Sequence, residues 1–148
     1  MDRTTKHHWL SLAAALLLIP AAVSGQFEAP MQATLLADRF DAAIGSGDQD
    51  AVRSLLHESV LIYEGGKVEA SLEEYAAHHM QADMAYMAGI DREILSRTVF
   101  EDNGIAVVTT QYRMTGMYKD QPVDRIALET LVMRDIGEGW KIVHVHWS

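Results

Sequence analysis

Cysteine is absent from the 148-residue chain, which excludes disulfides, thiolate metal sites, a cysteine nucleophile and a lipidated cysteine anchor. The sequence also lacks a GxSxG elbow, a phosphate-binding glycine loop and an HExxH pair, so serine-hydrolase, nucleotide and zincin chemistry find no support. Positive charge is in short supply, with 12 Lys and Arg against 21 Asp and Glu and a formal net charge of -9. Such a surface repels phosphate backbones and anionic headgroups, which argues against nucleic acid and membrane surfaces as partners. Apolar runs of bilayer length are missing as well: the longest, Trp9 to Ile19, has about half of the roughly 20 residues that span a membrane.

What is present fits one globular unit. The apolar share is 49 % and the charged share 22 %, ordinary for a folded domain, and the length suits a single hydrophobic core. Basic Arg3 and Lys6, the apolar run, Pro20 and the small pair Ala22 and Ser24 form the three parts of a secretory signal. Residues 1–24 are therefore expected to be a cleaved signal peptide, with a periplasmic or secreted product and no membrane contact after cleavage. Residues 25–30 are expected to form a short extended arm, and residues 31–148 the domain.

Leu35, Leu36, Phe40 and Ile44 recur at helical spacing, which predicts a first helix over 31–44, stopped by Gly45, Ser46 and Gly47. Asp48 is placed to cap a second, short helix through Leu56. A brief strand over 60–63 follows, with Gly65 and Gly66 as its turn. Ser71 and Glu74 make a capping box, which starts a long helix running to about Ala88. Four β-branched stretches, 94–100, 105–118, 123–134 and 140–147, are separated by short turn signals, so they are expected to pair as an antiparallel meander. Helices followed by strands give an α+β layer fold.

The closing segment reads Gly139-Trp140-Lys141-Ile142-Val143-His144-Val145-His146-Trp147-Ser148, preceded by Leu131-Val132-Met133-Arg134. A terminal tryptophan strand with alternating histidines resembles the nuclear transport factor 2-like, SnoaL-like superfamily, and in particular its small exported members of a domain family of unknown function. The resemblance covers residues 31–147. It implies an α+β cone in which three N-terminal helices pack on a curved, mostly antiparallel sheet, and a homodimer formed through the outer face of that sheet. It further implies a cavity, which in the superfamily serves cyclases, isomerases, dehydratases and hydrolases.

The long helix carries the most informative residues. At about 100° per residue, Tyr75, Ala76, His79, Met80, Asp83, Tyr86 and Met87 fall with Leu72 in one arc of roughly 140°. His79 and Asp83 lie at its centre, four residues apart, so they are expected to pair. A buried imidazole and carboxylate need partners, because an unpaired buried charge costs several kcal/mol. One explanation is mutual hydrogen bonding in the core; another is a dyad in which Asp83 orients His79 as catalytic base. Strand alternation puts Trp140, Ile142, His144 and His146 on one face. If that face looks into the cavity, as the resemblance suggests, His79, Asp83, His144 and His146 converge as a first shell for a transition metal, with zinc or copper the leading ions. Met80, Met84 and Met87, on one flank, are read mainly as core filling.

Tyr63, Glu64 and Glu69 flank the turn before the helix and are placed at the cavity rim. Tyr75 and Tyr86 belong to the helix arc, Trp140 to the histidine face of the last strand, and Thr110, Tyr112 and Met114 to one face of 105–118. Tyr63, Glu69, Tyr75, Tyr86, Tyr112 and Trp140 are thus the ligand-binding candidates. Arg125 and Glu129 share a face of the next strand and are expected to pair there. Three functions fit these residues: a pocket protein holding a small molecule or a metal ion, a proton-transfer enzyme built on His79 and Asp83, and a non-catalytic interaction domain.

Overall fold

The computed structural model describes residues 25–148, with side chains described from Pro30 onward; the expected signal peptide, 1–24, lies outside the described residues. Helix α1 (Gly25–Ser46) is followed by α2 (Gln49–Leu55), strands β1 (Leu56–Glu64) and β2 (Lys67–Glu69), helices α3 (Leu72–His78) and α4 (Met80–Met87), and strands β3 (Ile90–Asp102), β4 (Ile105–Tyr118), β5 (Gln121–Asp135) and β6 (Trp140–Trp147). One six-stranded sheet has the order β2-β1-β6-β5-β4-β3, antiparallel except where β1 runs parallel to β6. Among the described residues no helix is long and apolar enough to cross a membrane.

The local signals act as their chemistry requires. Asp48 caps α2 by accepting from the Ala51 amide at 2.9 Å. Ser71 Oγ accepts from the Glu74 amide at 3.1 Å, and Glu74 Oε2 reaches back past the cap to accept from the Ala70 amide at 2.8 Å, so the box closes one residue before its cap. Phe40 and Ile44 of α1 bury against Val60 and Ile62 of β1, Leu131 and Met133 of β5, and Ile142 and Val145 of β6. Each such side chain contributes about 1.5–3 kcal/mol of burial, and together they clamp the helices to one face of the sheet.

Two expectations are corrected. Residues 25–30 are not an extended arm: α1 is helical from Gly25, with Pro30 inside it at the loss of one backbone hydrogen bond. The long helix is not continuous either, but breaks at His79 (φ -110°, ψ -28°) into α3 and α4. The join after α4 is tight. A Cβ on Gly116, whose φ is +151°, would lie 2.1 Å from the Gly89 carbonyl oxygen, so only glycine lets the start of β3 close against the end of β4.

Two bulges decide which side chains face the helices. In β6 the pairing slips between His144 and Ile142, leaving Val143 as the extra residue; Ile142, Val145 and Trp147 consequently all point inward. In β3 the slip falls between Ile94 and Ser96, so Arg92 and Arg97, five apart and on opposite faces of a regular strand, both pair with inward residues, Met114 and Thr110.

Candidate functional site

A cavity of about 280 Å3 opens between α4 and the inner face of the sheet. Tyr86, Met87, Met114, Ala127 and Leu128 give it apolar walls, and Tyr112, Glu129, Trp147, Arg92, Glu64 and Arg125 supply polar atoms. Its deep end is a hydrogen-bonded network anchored on α1. Asp41 accepts from Arg92 Nη1 at 2.7 Å and from Arg97 Nη2 at 3.3 Å, and Arg97 also reaches Asp38 Oδ1 at 2.5 Å and Thr110 Oγ1 at 3.0 Å. Asp41 is therefore an anion held by two guanidinium groups. The Tyr112 hydroxyl donates to its Oδ2 at 2.5 Å, and Arg97 Nη2 donates to the phenol oxygen at 3.2 Å.

Glu129 completes the network. It is buried, its Oε2 accepts from Trp147 Nε1 at 2.8 Å, and its Oε1 lies 3.3 Å from the Tyr112 oxygen. One phenol proton cannot serve two carboxylates. With that proton directed at the ionised Asp41, contact between Glu129 and Tyr112 is favourable when Glu129 carries its own proton. Burial, reinforced by the Asp41 charge, pushes the Glu129 carboxyl up to about 7, against the opposing pull of Trp147, Arg92 and Tyr112. Burial likewise drives the Tyr112 phenol well above its ordinary value, with Glu129 and Asp41 adding to the rise.

The mouth is built differently. Glu64, at the end of β1, lines the cavity and also an adjoining groove shared with Gly65, Lys67, Glu69 and His79. Burial raises the Glu64 carboxyl, while the charges of His79, Arg125 and Lys67 hold it back. Just inside, burial and then the Glu64 charge push Asp83 up to about 7, with the Tyr75 hydroxyl opposing. The Tyr75 hydroxyl and Asp83 Oδ2 are both buried without a hydrogen bond of normal geometry, yet each moves the other's ionisation.

His79 and Asp83 do not form the expected dyad. The helix break turns the His79 ring to Glu69 on β2, where Nδ1 meets Oε1 in a short contact, and Asp83 is left facing Tyr75 and Glu64. The expected metal shell does not assemble. His144 and His146 lie on the outer face of the sheet, edge-on to Tyr63 with ring centroids at 4.9 and 6.2 Å, because the bulge at Val143 reverses the alternation beyond it. Among the described residues no group of three or more His, Asp or Glu side chains is arranged to hold a metal ion. Burial lowers the His144 imidazole on that face, against a Leu61 backbone hydrogen bond that raises it.

Of the ligand-binding candidates, Tyr86 and Tyr112 line the cavity and Glu69 lines the groove at its mouth. Tyr75 is sealed in the core, Tyr63 sits on the outer face, and Trp140 lines a separate surface groove with Gln32, Leu35, Leu36 and Arg39. Arg125 and Glu129 share the cavity without pairing, since Glu129 is bonded to Trp147 and Tyr112. Asp41, Arg92 and Arg97 went unnoticed in the sequence, and Trp147 was read only as part of the closing strand. Asp41 sits on the polar side of α1's pattern, and the two arginines come together only through the bulge in β3.

Residues 34–148 match the SnoaL-like domain family. No curated protein matches the chain. Among solved structures, the chain is similar to a Shewanella frigidimarina protein provisionally called a ketosteroid isomerase, at 42 % identity and TM-score 0.77, over 79 % of this chain and 94 % of that one. A Streptomyces avermitilis protein, provisionally called a dehydratase of the NTF2-like family, shares 21 % identity at TM-score 0.73, over 83 % of this chain and 96 % of that one. A Salmonella enterica member of the nuclear transport factor 2-like superfamily shares 17 % identity at TM-score 0.72, over 83 % and 92 % of the two chains.

Proposed function

The chain belongs to the SnoaL-like domain family of the nuclear transport factor 2-like superfamily, and on that premise we propose that it is a proton-transfer enzyme of isomerase type acting on a small, mostly apolar carbonyl compound. The observation that carries this reading is a buried carboxyl, Glu129, kept protonated up to about pH 7 in an apolar cavity whose mouth holds a second carboxyl, Glu64. Two acids in unlike environments divide the work: the neutral one donates to a substrate oxygen, the ionised one removes a proton from carbon. Asp41, Arg97 and Trp147 fix the donor end, and Met87, Met114 and Ala127 surround the substrate body. The ketosteroid isomerase name of the Shewanella frigidimarina relative agrees with this chemistry. The cavity, at about 280 Å3, sits just under the roughly 300–1,000 Å3 typical of drug-sized ligands, which favours one or two rings over a full steroid.

The test offers 3-cyclohexenone and a Δ5-3-oxosteroid and follows the ultraviolet absorbance of the conjugated enone. The monocyclic ketone should turn over faster, and Glu64→Gln should lower the rate by about 100-fold or more, the usual contribution of a positioned base. Glu129→Gln, which keeps the shape and a donor but has no proton to give, should cost less, on the order of tenfold. No acceleration of either ketone by the wild-type protein would remove this reading.

Export by the signal segment and pairing of two copies through the outer face belong to the same proposal. Register places Leu61, His144, Val132, Val107 and Phe100 in one row across five strands, and Leu61 and Phe100 are exposed. Exposed apolar side chains aligned across the sheet support association through that face. Sedimentation of the wild type and of Phe100→Asp, at an exposed position of that row, checks it: a dimer that the substitution leaves intact would speak against this interface.

A further inference from the structure

We propose that His79 and Glu69 form a proton port, which carries protons between solvent and the Glu64 carboxyl at the mouth of the cavity. The port's purpose rests on the proton-transfer reading; its geometry stands apart from it. Glu64 is the group that both spaces share, lining the cavity on one side and the His79 groove on the other. The Glu69 side chain is only 5 % exposed, and His79 is its hydrogen-bond partner. A carboxylate buried that far costs several kcal/mol unless a cationic or donor group answers it, so the imidazole holds the pair's charge balance. Nδ1 is committed to Glu69. Nε2 makes no hydrogen bond among the described residues, and with the side chain 34 % exposed the ring lies between water and the groove.

The backbone is arranged for this contact. The hydrogen bonds on either side of the break survive, His79 N to the Tyr75 carbonyl at 3.0 Å and Asp83 N to the His79 carbonyl at 2.9 Å. The chain departs from a straight helix only at the residue whose ring must reach β2. The charged and titratable groups around the port are Glu64 on β1, Lys67 and Glu69 on β2, His78 on α3, Asp83 on α4 and Arg125 on β5. In the outward direction, the Glu64 carboxyl proton passes to His79 Nε2, Glu69 neutralises the imidazolium through Nδ1–H, and the Nε2 proton is lost to bulk water. The inward direction reverses these steps. A purely structural tie between β2 and the helix junction would keep the same contact and move no protons.

Isomerisation of 3-cyclohexenone in heavy water separates the two. Glu64 returns the proton it removes unless that proton first exchanges with solvent. Product from the wild type should therefore carry solvent deuterium. Product from His79→Gln and Glu69→Gln should retain the substrate's own hydrogen in a several-fold larger fraction, with kcat within about threefold. Imidazole added to His79→Ala should restore exchange. Equal deuterium content in wild type and variants overturns the port while leaving the enzyme reading intact. If the wild type turns over nothing, the enzyme reading fails and the port is decided by the NMR titration of the Glu64 carboxyl carbon. That curve should show two inflections in the wild type and one in folded His79→Gln, which has lost the second titrating neighbour. The same curve in both proteins overturns it.

Discussion

The deep end of the cavity and its mouth contain the same kinds of side chain, carboxyls beside cations and a ring, yet they are held in opposite ways. At the deep end Asp41, Arg92, Arg97, Tyr112, Glu129 and Trp147 each have at least one partner in the network, and most have two. At the mouth Lys67 and Arg125 influence Glu64 through charge alone, and Asp83 Oδ2 has no hydrogen bond of normal geometry. A saturated network fixes protons in place, whereas a sparse one lets them move. On the proposed function, the deep end therefore holds a fixed hydrogen-bond donor, and the mouth is where protons exchange with solvent.

The largest effect should come from breaking the saturated end. Asp41→Ala leaves two arginines, 15 % and 11 % exposed, without their shared anion, and should destabilise by about 3 kcal/mol or more, read by urea unfolding. Next is Glu129→Gln. A carboxyl whose folded value lies above its unfolded value binds protons more readily when folded, so ionisation between roughly pH 4 and 7 costs stability. The amide escapes that loss. The variant should gain on the order of 2 kcal/mol over wild type near pH 8, little near pH 4, and should flatten the pH slope between them. A wild-type stability that rises from pH 5 to pH 8 through this group would contradict the protonated Glu129.

Smaller effects belong to the mouth and its supports. Ser71→Ala removes the cap that starts α3 and should cost about 1 kcal/mol in thermal or urea unfolding. Lys67→Ala, at an exposed position with no ion pair within reach among the described residues, should change stability by less than about 0.5 kcal/mol. Its expected signature is an upward move of the Glu64 titration, because one of the charges holding that carboxyl down is gone.

Much of the fold was legible because it follows from local chemistry. The Asp48 cap, the Ser71–Glu74 box, the glycine turns and the four β-branched stretches all act within a few residues of themselves, and each forms as read. The common face of Thr110, Tyr112 and Met114 was legible for the same reason, since β4 is regular through that stretch; that it points inward is a finding of the structure. The site was less so. The pairing of His79 with Asp83 follows from straight-helix geometry and fails where the helix breaks. Alternation put His144 and His146 on one face with Ile142, and the resemblance turned that face inward; the shared face fails one residue past the bulge. Arg92 and Arg97 were invisible as a pair because five residues put them on opposite faces of any regular strand.

Caps, turns and periodicity are properties of neighbouring residues, so helices followed by an antiparallel meander, and the polar residues available, could be read along the chain. Tertiary structure decided which of those residues meet. One extra residue at Val143, another at Leu95 and a single turned backbone at His79 reassign faces, and only the packing of sheet against helices determines where such irregularities fall.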